Sequence, residues 1–215
     1  MDFFNKVIKI LSKPTEFWAD AEKEKGIGEA VRFLLLLTII SAVISYLVNI
    51  LVIKISPEEA EIYVKILAGM GFHDQPTEIM WLTVTVAVNI LGFAATFITA
   101  GVINLFVRLL KGKEGYSATF KAVAYSTTPQ MLLATIPVVG FIASLYSLSL
   151  QINGISKLQK ISAMRAALAY VLMFFVLTVI GIAVAFYFVS TTFPKVPSQT
   201  TFQQSTATTS IQFKN

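Results

Sequence analysis

Apolar residues run almost unbroken over residues 30–53, 79–107, 116–153 and 164–189, and none of these stretches contains an Asp or a Glu. A helix needs about 20 apolar residues to cross about 30 Å of hydrocarbon. Core helices of a soluble domain keep a polar face, so the pattern predicts a polytopic membrane protein. The first stretch reads as one crossing, and the longer second one as a crossing that tilts or emerges before Arg108. The third is too long for one crossing. It holds Pro129 and Pro137, and Thr135-Ile136-Pro137-Val138-Val139-Gly140 suits a tight turn, so it divides into spans near 117–135 and 137–154. The expected fold is an all-α integral membrane bundle of five transmembrane helices, with a kinked Pro-containing hairpin as the third and fourth. A four-span chain with a re-entrant segment at 129–140 is the alternative.

Residues 1–29 read as an interfacial segment. Phe3, Phe4, Val7, Ile8, Ile10 and Leu11 give an apolar face, with Asn5, Lys6 and Lys9 elsewhere. This is the pattern of a short amphipathic helix lying among headgroups and ended by Pro14. Packing of that helix on the end of the bundle is the competing reading. Phe17 and Trp18 are expected to anchor the next stretch at the interface. Beyond the first span, Ser56-Pro57-Glu58-Glu59 starts a short external helix reaching about residue 68, closed near Gly69 and Gly71. Residues 30–189 form the membrane domain. The tail over 190–215, rich in Ser, Thr and Gln, is expected to be external and disordered. The N-terminus does not resemble a cleaved signal peptide, because its apolar run starts late and lacks a small-residue cleavage site.

Charge tests the division into spans. With five crossings, thirteen of the seventeen Lys and Arg residues fall on one side, in the N-terminal segment and the connections around 108–121 and 155–165. Lys54, Lys65, Lys195 and Lys214 fall on the other. Basic residues collect on the cytoplasmic side, so the N-terminus is expected in the cytoplasm, the C-terminus outside, and the chain in the cell membrane. Four spans would carry the 155–165 connection to the outside. The net charge of +5 sits beside the spans, which points to anionic lipid headgroups as partners and not to nucleic acid.

Little in the chain suits catalysis. The acids lie outside the apolar stretches, the one histidine, His73, falls in an external loop, and cysteine is absent. Metal ligand sets, nucleophile–base pairs and phosphate-cradling loops are all missing, so no enzyme activity and no cofactor are expected. What remains inside the spans is neutral polarity: Asn89, Asn104, Ser126, Thr127, Thr128, Gln130, Gln151 and Asn153. Such groups either bond between helices or line a polar pathway. Pro129 frees the carbonyl near Tyr125, and the hydroxyls of Ser126, Thr127 and Thr128 are placed to satisfy it and hold a kink. Pro137 and Gly140 permit a sharp reversal.

The order Ala124-Tyr125-Ser126-Thr127-Thr128-Pro129, then Ile136-Pro137-Val138-Val139-Gly140, then Gly154-Ile155-Ser156 and Ile161-Ser162 through Arg165-Ala166 resembles the prokaryotic branch of the Yip domain family, the Ypt/Rab-interacting proteins. Phe3-Phe4, Lys13-Pro14 and Phe17-Trp18 ahead of the first span are similar to it too. The resemblance implies a five-span bundle with a cytoplasmic N-terminus, and a non-enzymatic scaffold or adaptor acting through a protein partner or through bilayer shaping. Its candidate structural or partner-binding residues are Tyr125, Ser126, Thr127, Pro129, Gln130, Pro137, Gly140, Gln151, Asn153 and Gly154. Eukaryotic members associate with prenylated small GTPases through longer N-terminal regions, and the 29 residues here leave little surface for one. A small transporter or channel for a neutral or lipid-like substrate, built around Asn89, Gln130, Gln151 and Asn153, is the alternative function.

Overall fold

The computed structural model describes residues 1–55, 61, 65 and 78–192. Among them every regular element is a helix: α1 (Phe3–Ser12), α2 (Pro14–Lys23), α3 (Gly28–Ile55), α4 (Glu78–Leu109), α5 (Tyr116–Ser126), α6 (Thr128–Leu133), α7 (Pro137–Leu158) and α8 (Ala163–Thr192). Four of these, α3, α4, α7 and α8, are long and apolar enough to cross a membrane. The residues of the expected third span are divided between two shorter helices, α5 and α6, separated at Thr127, and neither is among those four. The expected external helix, His73 and the tail beyond residue 192 lie outside the described residues. Only Glu61 and Lys65 of that stretch are described; both are helical, and their side chains pair at 2.9 Å.

Contacts divide the chain into two units, Met1–Met173 and Phe174–Asn215. In the first, α7 runs back along α5 and α6. The Gln159 amide reaches Thr119 Oγ1 at 2.8 Å, Ser147 Oγ accepts from the Gln130 N–H at 3.1 Å, and Gly140 packs on the Ala134 backbone. These three contacts fall in antiparallel order along the pair. Of the second unit, the described part is the remainder of α8, whose apolar side chains are exposed, among them Phe174, Ile182 and Phe186. That is the surface of a helix solvated by lipid.

The buried core gathers at one end. Ile10, Phe17 and Trp18 from the N-terminal helices meet Leu34, Val107, Phe120, Tyr125 and Ile155. The N-terminal segment therefore packs on the bundle. It forms not one helix but two, because Pro14, which cannot continue α1, suits the first position of α2. Two sequence expectations are corrected here. Lys6, read as part of the polar side of α1, is buried. Phe17 and Trp18, read as interfacial anchors, are each only 2% exposed and sit inside the core.

The connections at this end share one device. Lys111 and Lys160 both adopt left-handed backbone, φ 68° and 54°. After each, the next N–H closes the helix end: Gly112 to Val107 O at 2.8 Å, and Ile161 to Ser156 O at 3.1 Å. Gly112 is required, since a Cβ there would come within 2.5 Å of Val107 Cγ1. Lys160 Nζ then lies 3.0 Å from Glu114 and 3.8 Å from Glu22. The N-terminal helices, the α4–α5 connection and the α7–α8 connection thus lie together.

Candidate functional site

At this end the Tyr125 phenol joins a cluster of charged groups from the N-terminal segment. Its ring is fully buried, edge-on to Phe17 at 4.9 Å and Phe33 at 5.0 Å. The hydroxyl donates to Glu24 Oε2 at 2.6 Å and accepts from Lys6 Nζ at 3.3 Å. Lys6 Nζ closes the triangle on Glu24 Oε1 at 2.7 Å and reaches Glu29 at 3.3 Å. One turn earlier, Lys121 Nζ donates to the Ala21 and Glu24 carbonyls at 2.8 and 3.0 Å. Those carbonyls end α2, where a cation also meets the negative end of the helix dipole. A cavity of about 440 Å³ beside the triangle is lined by Lys6, Asp20, Glu24 and Glu29. At its edge Lys9 bonds Asp20 at 2.6 Å, and this bond, with a second from Lys23, holds the Asp20 carboxyl below its ordinary pKa.

The chain breaks just beyond Tyr125, for a local reason. Pro129 has no N–H to give the Tyr125 carbonyl, and Thr128 Oγ1 donates to that carbonyl instead, at 2.7 Å. Thr127 Oγ1 serves the Ala124 carbonyl at 2.9 Å, and Ser126 Oγ the Ala122 carbonyl at 2.6 Å. Ser126, Thr128 and Pro129 are buried, so the interruption is enclosed by protein. α7 begins at Pro137, and Gly140 in its first turn admits no side chain: a Cβ would lie 2.6 Å from the Ala134 oxygen.

Gly154 is the second close approach. A Cβ there would meet the Trp18 ring at 2.8 Å, so the missing side chain is what seats the tryptophan against α7. Gln151, one turn away, accepts from the Tyr170 hydroxyl at 2.9 Å and joins α7 to α8. Of the remaining candidates, Gln130 and Asn153 have exposed side chains. Asn104 accepts from Thr119 at 3.1 Å, and Asn89 donates to the Thr85 carbonyl of its own helix at 2.9 Å. The structure thus brings Tyr125, Ser126, Thr127, Pro129 and Gly154 to the faces joining α5, α7 and the N-terminal helices, and leaves Gln130 and Asn153 apart from them. Among the described residues no group of three or more His, Asp or Glu side chains is placed to hold a metal ion.

A family model described as the Yip1 domain matches residues 8–205, nearly the whole chain. The chain belongs to the Yip1 domain family. Comparison with curated proteins and with solved structures returned no match.

In this Yip1 domain, sequence reasoning missed Lys6, Glu24, Lys121 and Gln159, and gave Trp18 an interfacial place in lieu of a core one. Gln159 is fully buried; its amide nitrogen donates to the Gly115 carbonyl at 3.0 Å and its oxygen accepts from the Glu114 N–H at 3.0 Å. A lysine inside an amphipathic turn and a lysine next to a Tyr-Ser-Thr-Thr-Pro run were the available signals for Lys6 and Lys121. Glu24 carried none, since an acid within a run of mixed charge reads as solvated surface.

Proposed function

We propose that this Yip1 domain protein is a non-enzymatic scaffold of the cell membrane, and that it crosses five times with its N-terminus in the cytoplasm and its C-terminus outside. The observation that carries the scaffold reading is how intramembrane polarity is used. Polar side chains from α4 to the end of α7 bond to a neighbouring element or to their own backbone, as in Asn104–Thr119–Gln159, Gln151–Tyr170 and Thr128–Tyr125. Such groups fix helices to one another. A transporter built on Asn89, Gln130, Gln151 and Asn153 needs those side chains on one enclosed path, whereas Gln130 and Asn153 are exposed and Asn89 and Gln151 bond to the protein.

Two features support five crossings. α5 and α6 together cover residues 116–133, about 27 Å of helix, and α7 returns over about 33 Å, each near the thickness of the hydrocarbon. The contacts of Lys160 with Glu114 and Glu22 put the basic connections and the N-terminal helices at one end, as an outward and a return crossing require. The kinked hairpin is then the third and fourth spans, in a single membrane domain over 30–189. Phe4, Ile8 and Leu11 form an exposed apolar stripe on α1, with Lys9 on the same helix. In this reading the stripe rests among anionic headgroups and the hairpin wedges the bilayer, so the protein acts through local membrane shape and a bound protein partner.

The test is purification of the full chain in mild detergent, with mass spectrometry of bound proteins and lipids together. One stoichiometric protein partner supports the scaffold. A single enriched small molecule with no protein would move the assignment to transport.

A further inference from the structure

The hairpin of α5, α6 and α7 is interrupted twice, and the two breaks differ. At Thr127 the break is enclosed by protein, and hydroxyls serve the carbonyls it frees. The turn between α6 and α7 has no such cover. Ala134, Ile136, Val138 and Val139 are exposed there, and Ile136, the residue before α7, provides no side-chain cap. Among the described residues the backbone N–H groups of Thr135, Val138 and Val139 find no acceptor. The Thr135 hydroxyl is engaged elsewhere, with Ser45 Oγ of α3 at 3.2 Å.

That bond also fixes the level of the turn. Arg32 stands near the inner end of α3, and the next charged residue in the sequence is Lys54. Between them lie about 33 Å of helix, close to the thickness of the hydrocarbon. Ser45 is about 20 Å from Arg32 and about 14 Å short of Lys54. A contact on α7 gives a similar depth. Tyr146 donates its hydroxyl to the Leu11 carbonyl of α1 at 2.9 Å. Tyr146 lies about 14 Å along α7 from Pro137, so the turn rises only that far beyond the level of α1. The hairpin thus reaches about 14–20 Å into a core of about 30 Å, and stops about 10 Å or more short of its outer edge.

Irregular backbone at membrane depth is either enclosed in protein or met by water, because an unpaired polar group in hydrocarbon is strongly unfavourable. Protein does not enclose this turn. We propose that the chain thins the bilayer beside its hairpin, the outer leaflet dipping by about 10 Å so that water and headgroups reach the α6–α7 turn. The inference rests on the five-crossing reading, which starts α5 and ends α7 at the inner face, and it says how so short a hairpin completes two crossings: the membrane comes to it. Bilayers thin around short spans at modest cost, whereas hydrocarbon laid over the unpaired donors of Thr135, Val138 and Val139 leaves each of them without a partner.

Single cysteines in the full chain test this, since it has none of its own. Ile136→Cys and Val138→Cys report on the turn. Leu47→Cys, on α3, stands about 3 Å farther out than Ser45. All three native side chains are exposed, so the substitutions disturb no packing. Sealed cells are treated with a membrane-impermeant maleimide, which reacts with the thiolate and so requires water at the site. The two turn cysteines should react from outside about tenfold faster than Leu47→Cys, although Leu47 is the farther out. Equal reaction of all three would place the turn at an ordinary outer surface. No reaction at the turn would leave it dry beneath an intact leaflet, and reaction only after permeabilisation would wet it from the inner side. Each of these overturns the proposal. Lys113→Cys and Lys157→Cys are run alongside: if they stay protected in intact cells, a dry turn removes this inference alone, and if Lys157→Cys reacts, the five-crossing reading falls and this inference with it.

Discussion

The Tyr125 hydroxyl and the Glu24 carboxylate meet at 2.6 Å across 101 residues of chain, and this bond ties the N-terminal helices to the last turn of α5. Glu24 also neutralises Lys6, so three groups with little access to solvent share one set of bonds. Removing any member strands the others. Tyr125→Phe should lower stability by about 1–3 kcal/mol, the cost of leaving a buried polar group short of a partner. Glu24→Gln should cost more, about 3–5 kcal/mol, because it leaves Lys6 charged and poorly paired. Thermal unfolding in detergent measures both. The double variant should fall short of the sum, since the two substitutions break the same bond.

Trp18 and Gly154 make a second joint, of shape alone. Gly154→Ala should destabilise by about 1–3 kcal/mol, because the added carbon meets the indole ring at 2.8 Å. Trp18→Phe shortens that ring. In the Gly154→Ala background it should restore part of the lost stability, whereas in the unmodified protein it should only reduce it. Melting temperatures of the four chains decide this.

The interruption at Thr127 yields a coupling. Thr128→Val should cost about 1 kcal/mol by removing the hydroxyl that serves the Tyr125 carbonyl. In a Pro129→Ala background the restored N–H takes that carbonyl, and the same substitution should cost close to nothing. Equal costs in the two backgrounds would mean that the hydroxyl does not stand in for the missing N–H.

The long crossings were legible because lipid asks the same thing of every exposed position, and α3, α4, α7 and α8 each show it as an unbroken apolar run. The Thr128 bond was legible for a local reason: a proline removes a donor at a known offset, and hydroxyls were at hand. The site at Glu24 was not. Periodicity sorts α1 into apolar and polar faces, and it assigns Lys6 to water; the structure reverses this because Glu24, eighteen residues later, makes a buried lysine tolerable. The same physics hid Trp18. In lipid an apolar side chain gains nothing by burial, so hydrophobicity alone does not tell which aromatic faces the bundle, and the small residue opposite it, Gly154, was the better clue.

Five crossings put Lys13, Lys113 and Lys157 on one side of the membrane and the chain beyond α8 on the other. The chain has no cysteine, so single cysteines are unambiguous reporters. Lys13→Cys, Lys113→Cys, Lys157→Cys and Ser198→Cys, each in sealed cells, are treated with a membrane-impermeant maleimide before and after permeabilisation. The first three should react only after permeabilisation, and Ser198→Cys before it. Reaction of Lys157→Cys in intact cells, with Lys13→Cys protected, would contradict the five-span scaffold and restore a four-span chain.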